Sequence, residues 1–314
     1  DRETDAELLS GPGAVPVVID EYYHDTWSHG KNFFTDEIAK FADAEVTVLE
    51  SGPVRATVKV VSRYNDSTLT QYFSLEAGDK RLKVRAVADW HEKHKMLKLA
   101  WHTAVNDPKA YYEIPFGVME RPADGEEEPG LTWTAVKGAD GGLALLNSNT
   151  YSSSVKGNTL YQTVLRSPIY GDHGGPRAAE SEFTDQGRFQ FSYELMPVGE
   201  SWTPDIQAAR LLNKPVTNII ETWHSGALTS PSLEGLRVSE ENIQLSACKP
   251  GEDGTGMVLR LYETDGRETD VTVSGPVLRV PLTARFTPYS VNTYFLKDGE
   301  NVWEEVLLTE YPVD

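Results

Sequence analysis

Apolar and polar residues alternate along most of the chain, in short runs separated by turn-forming residues. A period of two places successive side chains on opposite faces of an extended backbone and predicts half-buried β-strands. Ala44 to Leu49, Val54 to Arg63, Thr68 to Leu75, Leu82 to Trp90, Met96 to Val105 and Gly141 to Asn147 read this way, with β-branched residues frequent among them. Ser51-Gly52-Pro53, Tyr64-Asn65-Asp66, Ala77-Gly78-Asp79 and Asn106-Asp107-Pro108 supply turns between them. Strands resume at Thr159 to Leu165 and Arg188 to Leu195. A short helix is expected around Phe33 to Phe41, and Pro122 to Pro129 reads as a solvated loop.

So many strands without helical alternation exceed one immunoglobulin-like module and predict a large two-sheet sandwich. A boundary is expected near residues 199 to 216, where a strand ends, Ile206 to Leu212 suits a short helical connector, and Lys214-Pro215 restarts extended chain. The remainder alternates again at Ile243 to Ala247, Gly256 to Tyr262, Thr269 to Val273, Ser290 to Leu296 and Trp303 to Leu308, with a hairpin-like connection at Gly251 to Gly256. The expected class is all-β, with a large sandwich over residues 1–205 and a smaller one over 206–314.

Composition narrows the partners. The chain has 314 residues, 39% hydrophobic and 25% charged, which fits an ordered globular protein. A net charge of −19 repels nucleic acid and disfavours anionic membranes, while neutral ligands such as sugars are compatible with it. No apolar run approaches the roughly 18 residues of a spanning helix. The single cysteine, Cys248, excludes an internal disulfide and reads as a small buried or half-buried strand residue. The opening Asp1-Arg2 carries no targeting signal and reads as a piece of something longer, which leaves the compartment open with the cytoplasm favoured.

The densest chemical cluster is Asp20-Glu21-Tyr22-Tyr23-His24-Asp25-Thr26-Trp27-Ser28-His29-Gly30. Its histidines and aspartates have the donor types of a zinc site but match no compact zinc motif. Trp27 suits stacking on a sugar ring or filling space between sheets. A second segment carries His91, His94 and His102 with Asp89 and Glu92; the histidine spacing of a helical zinc protease is missed by one residue. No nucleophile elbow and no dinucleotide-binding glycine pattern occur. A glycosidase pair of carboxylates, roughly 5 to 9 Å apart, is not legible in a linear sequence.

Several ordered segments resemble the C-terminal region of the α-mannosidases of glycoside hydrolase family 38, in their bacterial form. They are Tyr112-Glu113-Ile114-Pro115-Phe116-Gly117-Val118-Met119-Glu120-Arg121-Pro122, then Trp133, then Gly142 to Tyr151, Val164-Leu165-Arg166-Ser167-Pro168, and Asp185 to Pro197. Asp25 to Gly30 looks like the motif that opens this region, and Val258 to Glu263 resembles the terminal sandwich. The resemblance implies a galactose-mutarotase-like super-sandwich followed by a small sandwich. It also implies that a retaining mannosidase's nucleophile, general acid and divalent metal (zinc or similar) belong to an N-terminal catalytic domain of the same polypeptide. This chain would then hold no catalytic residue, metal or cofactor of its own. It would support the catalytic domain and line the carbohydrate cleft with Arg166 first, and with Tyr151, Trp27, His29 and His173. Glu113 and Arg121 are expected to pair across a loop. Relatives often carry Asn-Asp-x-x-Tyr-Gly where this chain has Asn147-Ser148-Asn149-Thr150-Tyr151-Ser152. The competing readings are a free-standing carbohydrate-binding or scaffold protein, and a mutarotase-like sugar enzyme using histidines in the sandwich concavity. Homo-oligomerisation is left open.

Overall fold

The computed structural model describes all residues except 2, 3, 23, 172–181, 227–231, 233 and 314. The chain divides into two compact units. The first comprises Asp1–Glu113, Met119–Glu200 and Asp205–Pro215, and the second Ile114–Val118, Ser201–Pro204 and Val216–Asp314.

In chain order the strands before residue 200 are β1 (Val15–Asp20), β2 (Glu37–Lys40), β3 (Ala42–Ser51), β4 (Arg55–Tyr64), β5 (Ser67–Glu76), β6 (Leu82–Trp90), β7 (Lys95–His102) and β8 (Lys109–Ile114). They continue as β9 (Gly117–Arg121), β10 (Glu128–Pro129), β11 (Trp133–Gly138), β12 (Gly141–Asn147), β13 (Ser152–Lys156), β14 (Thr159–Arg166) and β15 (Gly187–Val198). They form a six-stranded sheet, β10-β13-β14-β7-β1-β2, and a nine-stranded sheet, β3-β4-β5-β6-β15-β12-β11-β8-β9. The inner faces share one core: Val18, Leu97, Leu99, Trp101, Leu160 and Leu165 come from the smaller sheet, and Leu69, Ala86, Trp90, Tyr112, Leu145 and Tyr193 from the larger. The Trp101 and Tyr193 rings meet edge to face across the layer, with centroids 6.0 Å apart.

Two expectations fail here. Residues 33–41 are not helical; Glu37–Lys40 is strand β2, paired antiparallel with β1. Phe34 and Phe41, both buried, anchor the ends of this extended segment. Edge pairing overrides local helix tolerance, because the neighbouring strand offers backbone partners that a single helical turn would leave unused. The loop at 122–129 is also less solvated than its acidic run suggests. Glu127 turns inward and Glu128–Pro129 forms strand β10 against β13.

Nine strands facing six leave an overhang. The register of β3, β4 and β5 puts Val46, Val48, Val58, Val60, Phe73 and Leu75 on the same face as the fully buried Leu69. Yet Val46 is 66% and Val48 65% exposed. The apolar inner face of the sheet thus runs past the partner sheet that covers the rest of it.

The connector is helix α1 (Thr203–Asn213), longer than its expected span. Beyond it lie β16 (Arg237–Val238), β17 (Ile243–Pro250), β18 (Gly256–Glu263), β19 (Thr269–Ser274), β20 (Leu282–Phe286), β21 (Val291–Lys297) and β22 (Glu304–Val306). They form a three-stranded sheet, β16-β19-β20, and a four-stranded sheet, β17-β18-β21-β22. Ile243, Leu259, Leu261 and Tyr294 of one sheet pack with Val271, Val273, Leu282 and Phe286 of the other. The second unit is therefore a small two-sheet sandwich. Glu263, fully buried, pins its loops by accepting hydrogen bonds from Asn242 Nδ2 and from the backbone N–H groups of Asp265, Gly266, Arg267 and Tyr289. Burial works to raise its carboxyl, but these donors hold it below the ordinary value. Cys248 lies on β17 and is exposed, against the expectation of burial.

Candidate functional site

One end of the six-stranded sheet gathers the C-terminus of β1, the N-terminus of β7 and the C-terminus of β14. The strand β14 decides which way Arg166 points. Leu160 and Gln162 stand opposite Trp101 and Leu99 on the inner face, so strict alternation would send Arg166 inward as well. A bulge between Thr163 and Leu165 absorbs one residue, returns Leu165 to the core opposite Leu97, and pairs Arg166 with Met96 on the outer face.

There Arg166 meets Glu21, the first residue after β1. Nε donates to Oε1 at 2.5 Å and Nη2 to Oε2 at 2.8 Å, a two-pronged guanidinium–carboxylate pair. Glu21 is fully buried and the Arg166 side chain is 27% exposed. Burial pushes the Glu21 carboxyl up, opposed by the hydrogen bonds and charge of Arg166. The guanidinium also lies 5.0 Å from the Phe34 ring centre, and the Arg166 backbone N–H donates to Asp185 Oδ2 at 3.0 Å. Among the described residues its Nη1 has no acceptor.

The loop from Glu21 to Lys31 folds back on the segment after β14. Asp25 bridges to Ile169, and its buried carboxylate accepts the Trp27 backbone N–H at 2.9 Å and lies 3.0 Å from His29 Nε2. The Trp27 indole covers Gly171 so closely that a Cβ there would sit 3.0 Å from its Cδ1 and Nε1. Trp27 is 71% exposed, so it does not fill intersheet space, and Tyr170 beside it is also exposed. Trp27, His29 and Arg166 therefore belong to one pair of loops. Tyr151 is exposed just before β13, the strand next to β14, and no described contact joins it to the Arg166 pair. His173 lies outside the described residues.

A second polar line braces the same outer face. Lys98, almost wholly buried in β7, donates to Glu127 at 2.5 Å, to the Phe34 carbonyl at 3.0 Å and to Ser154 Oγ at 3.1 Å. Glu127 also accepts from the Thr163 hydroxyl and from Ser152 Oγ. This network fixes the loops flanking the site. Its signal was present in the sequence: a lysine in the middle of the apolar run Met96-Leu97-Lys98-Leu99-Ala100-Trp101 requires a buried partner.

Other expected groupings do not form. His91 pairs with Asp89, His94 meets the Phe183 ring edge to face, and His102 bonds Thr159 at the far end of β7. The convergence of histidines that a mutarotase-like enzyme would need is thus missing among the described residues. Asp20 spends one oxygen on the Tyr22 N–H, and no group of three or more metal-ligating side chains is found among the described residues. Glu113 and Arg121 do not pair. Glu113 accepts both the backbone N–H and the hydroxyl of Thr132, while Arg121 reaches Glu128 and the Pro129 carbonyl.

Comparison with known families decides the affiliation. The family 38 profile described as "Glycosyl hydrolases family 38 C-terminal domain" matches residues 2–174, more than half of the chain. The chain belongs to glycosyl hydrolase family 38. The profile "Glycosyl hydrolases family 38 C-terminal beta sandwich domain" matches residues 242–292 of this family 38 chain. Over 222 residues the chain is 32% identical to Alpha-mannosidase 2C1 of Mus musculus, covering 65% of this chain and 20% of that protein. It is 25% identical over 307 residues to Alpha-mannosidase G of Dictyostelium discoideum, covering 90% of this chain and 27% of that one. The chain thus spans about a fifth to a quarter of the length of these curated relatives. The crystal structure of an alpha-mannosidase from Enterococcus faecalis shares the fold, with a TM-score of 0.75 at 16% identity over 91% of this chain and 38% of that one. No helix among the described residues is long and apolar enough to cross a membrane.

Proposed function

We propose that this chain is the non-catalytic C-terminal part of a retaining α-mannosidase, in which it supports an N-terminal catalytic domain of the same polypeptide and lines its carbohydrate cleft. The observation that carries this reading is the Arg166–Glu21 pair: a cation fixed by a buried carboxylate, with Nη1 unpaired among the described residues, at the sheet end whose loop also carries the exposed ring of Trp27. A fixed guanidinium donates to sugar hydroxyls at little entropic cost, and an exposed indole provides an apolar face for a pyranose ring. Arg166, Trp27 and His29 form the contact group in this proposal, with Tyr151 and His173 as outer members.

The large unit is read as a mutarotase-like super-sandwich used as a wall. Its uncovered apolar overhang at Val46, Val48 and Leu75 suits packing against more protein, as an upstream domain would provide. The relatives named as alpha-mannosidases, which this chain covers only in part, point to α-mannosides as the substrate of the longer protein. In this reading the divalent ion and the chemistry it supplies belong to the upstream domain.

Hydrolysis of an aryl α-mannoside tests the proposal, using this chain and the longer polypeptide that includes an upstream catalytic region, each with and without added zinc. Turnover is expected only in the longer protein. There, Arg166→Met should raise KM at least tenfold with a smaller loss in kcat. Turnover by the 314-residue chain itself, or an unchanged KM in the Arg166 variant, overturns the reading.

A further inference from the structure

The chain that follows α1 runs through residues 215–226 without helix or strand, and every residue of it is exposed. Among the described residues it makes no backbone–backbone hydrogen bond. Its side-chain bonds are internal, from His224 to Glu221 at 2.8 Å and to the Ser225 carbonyl at 3.0 Å. Yet the stretch is apolar. Val216 and Ile219 are exposed, Ile220 is 96% exposed and Trp223 101%. Single apolar side chains on a surface are ordinary, but four so close together are not. An indole alone withdraws roughly 150–250 Å² from water when it is buried.

The chemistry of the stretch selects what covers it. Residues 215–226 contain no Lys or Arg, so they offer nothing to lipid phosphates or nucleic acid. Three of the four exposed groups are aliphatic, which gain nothing from sugar hydroxyls and much from an apolar protein surface. Val216, Ile219, Ile220 and Trp223 also stand at i, i+3, i+4 and i+7, the spacing at which a docked segment brings its anchors to one side. The chain spans about a fifth to a quarter of the length of its curated relatives, and the profiles it matches are those of the family's C-terminal domains. In the longer polypeptide proposed above, the upstream part is tethered to this segment. Tethering presents it at a roughly millimolar effective concentration, which a second copy in dilute solution does not reach.

We infer that residues 216–223 dock on the upstream catalytic part of that polypeptide, with Trp223 and Ile220 at the centre of the contact and Val216 and Ile219 beside them. The identity of the occupant rests on the function proposed above; the need for cover rests on the exposed side chains alone.

Hydrogen–deuterium exchange of the 314-residue chain and of the longer polypeptide tests this, with aryl α-mannoside turnover followed on the same samples. The amides of residues 216–223 should exchange at unprotected rates in the shorter chain and about tenfold slower or more in the longer one. In the longer protein, Ile220→Ser combined with Trp223→Ser should return them to the fast rate. In the 314-residue chain the same double substitution should leave Tm unchanged, because it removes nothing that this chain buries. Equal exchange in the two proteins overturns the docking, even where turnover requires the upstream part. Slow exchange in the 314-residue chain also overturns it: the occupant is then a second copy if light scattering shows a dimer, and this chain itself if it shows a monomer. Slower exchange in a longer protein that does not turn over the mannoside supports the contact and overturns only the proposed activity.

Discussion

Replacing Glu21 by Gln removes the counter-charge of Arg166 while keeping the size of the side chain. Breaking a buried ion pair from one side costs about 3–5 kcal/mol when the orphaned charge is sealed from water. Arg166 is 27% exposed, so water recovers part of its solvation and the expected cost falls to about 2–3 kcal/mol. The reverse change, Arg166→Met, strands a carboxylate with no exposure. That carboxyl is already raised by burial, and losing the arginine raises it further. The stranded group therefore escapes by taking a proton, and the penalty of Arg166→Met should shrink as pH falls, whereas that of Glu21→Gln should not. A double-mutant cycle in urea, following the unfolding of the first unit, should return a coupling of about 2 kcal/mol. For a unit of about 200 residues, the single-variant costs correspond to a fall in Tm of about 4–10 °C. Coupling below about 0.5 kcal/mol, or an Arg166→Met penalty that ignores pH, would refute the view that a buried carboxylate fixes this arginine.

Three further outcomes follow from buried or paired carboxylates. Asp205, in the first turn of α1, is nearly fully buried with Oδ1 unpartnered among the described residues, and burial pushes its carboxyl up to about 7. The folded state then binds its proton more tightly than the unfolded one, so stability is lost as pH rises from about 4 to 7. Asp205→Asn should recover up to about 4 kcal/mol at neutral pH and little at pH 4 in urea titrations; equal effects at both would refute this. Glu263→Gln should cost the second unit about 2–4 kcal/mol by turning an amide toward backbone donors. The wild-type carboxylate is held below its ordinary value, so its stabilisation is present above the unfolded value and lost in acid, and the gap between the two proteins in thermal melts should close there. Partial burial works against ionisation of Asp79, yet hydrogen bonds from Arg81 and Lys83 bring it down to about 2. It should contribute about 2 kcal/mol above pH 4, lost as pH falls toward 2, and Asp79→Asn melts should converge with wild type only in that acid range.

The period of two and the turn residues between runs were enough to place the long strands β3 to β7 and the connector helix, because these depend on local preference and on which face of a strand is apolar. The aromatic and acidic cluster at residues 20–30 and the segment around Arg166 were also visible as chemistry. What the sequence could not convey was orientation and partnership. Strict alternation points Arg166 into the core; only the bulge in β14, set by pairing with β7, turns it outward to Glu21, a residue 145 positions away in the chain. The segment at 33–41 became a strand because an edge of β1 was there to pair with, which no local propensity encodes. The three histidines near residue 91 separated because a hairpin and the length of β7 lie between them. Lys98 stood out as a lysine inside an apolar run, but Glu127 read as one acid of a solvated loop, so their pairing was not legible. Local rules determined which segments extend and which face is oily. Register, a one-residue bulge and the mismatch of nine strands over six were decided by long-range packing, and they settled which charges meet and which surfaces stay open.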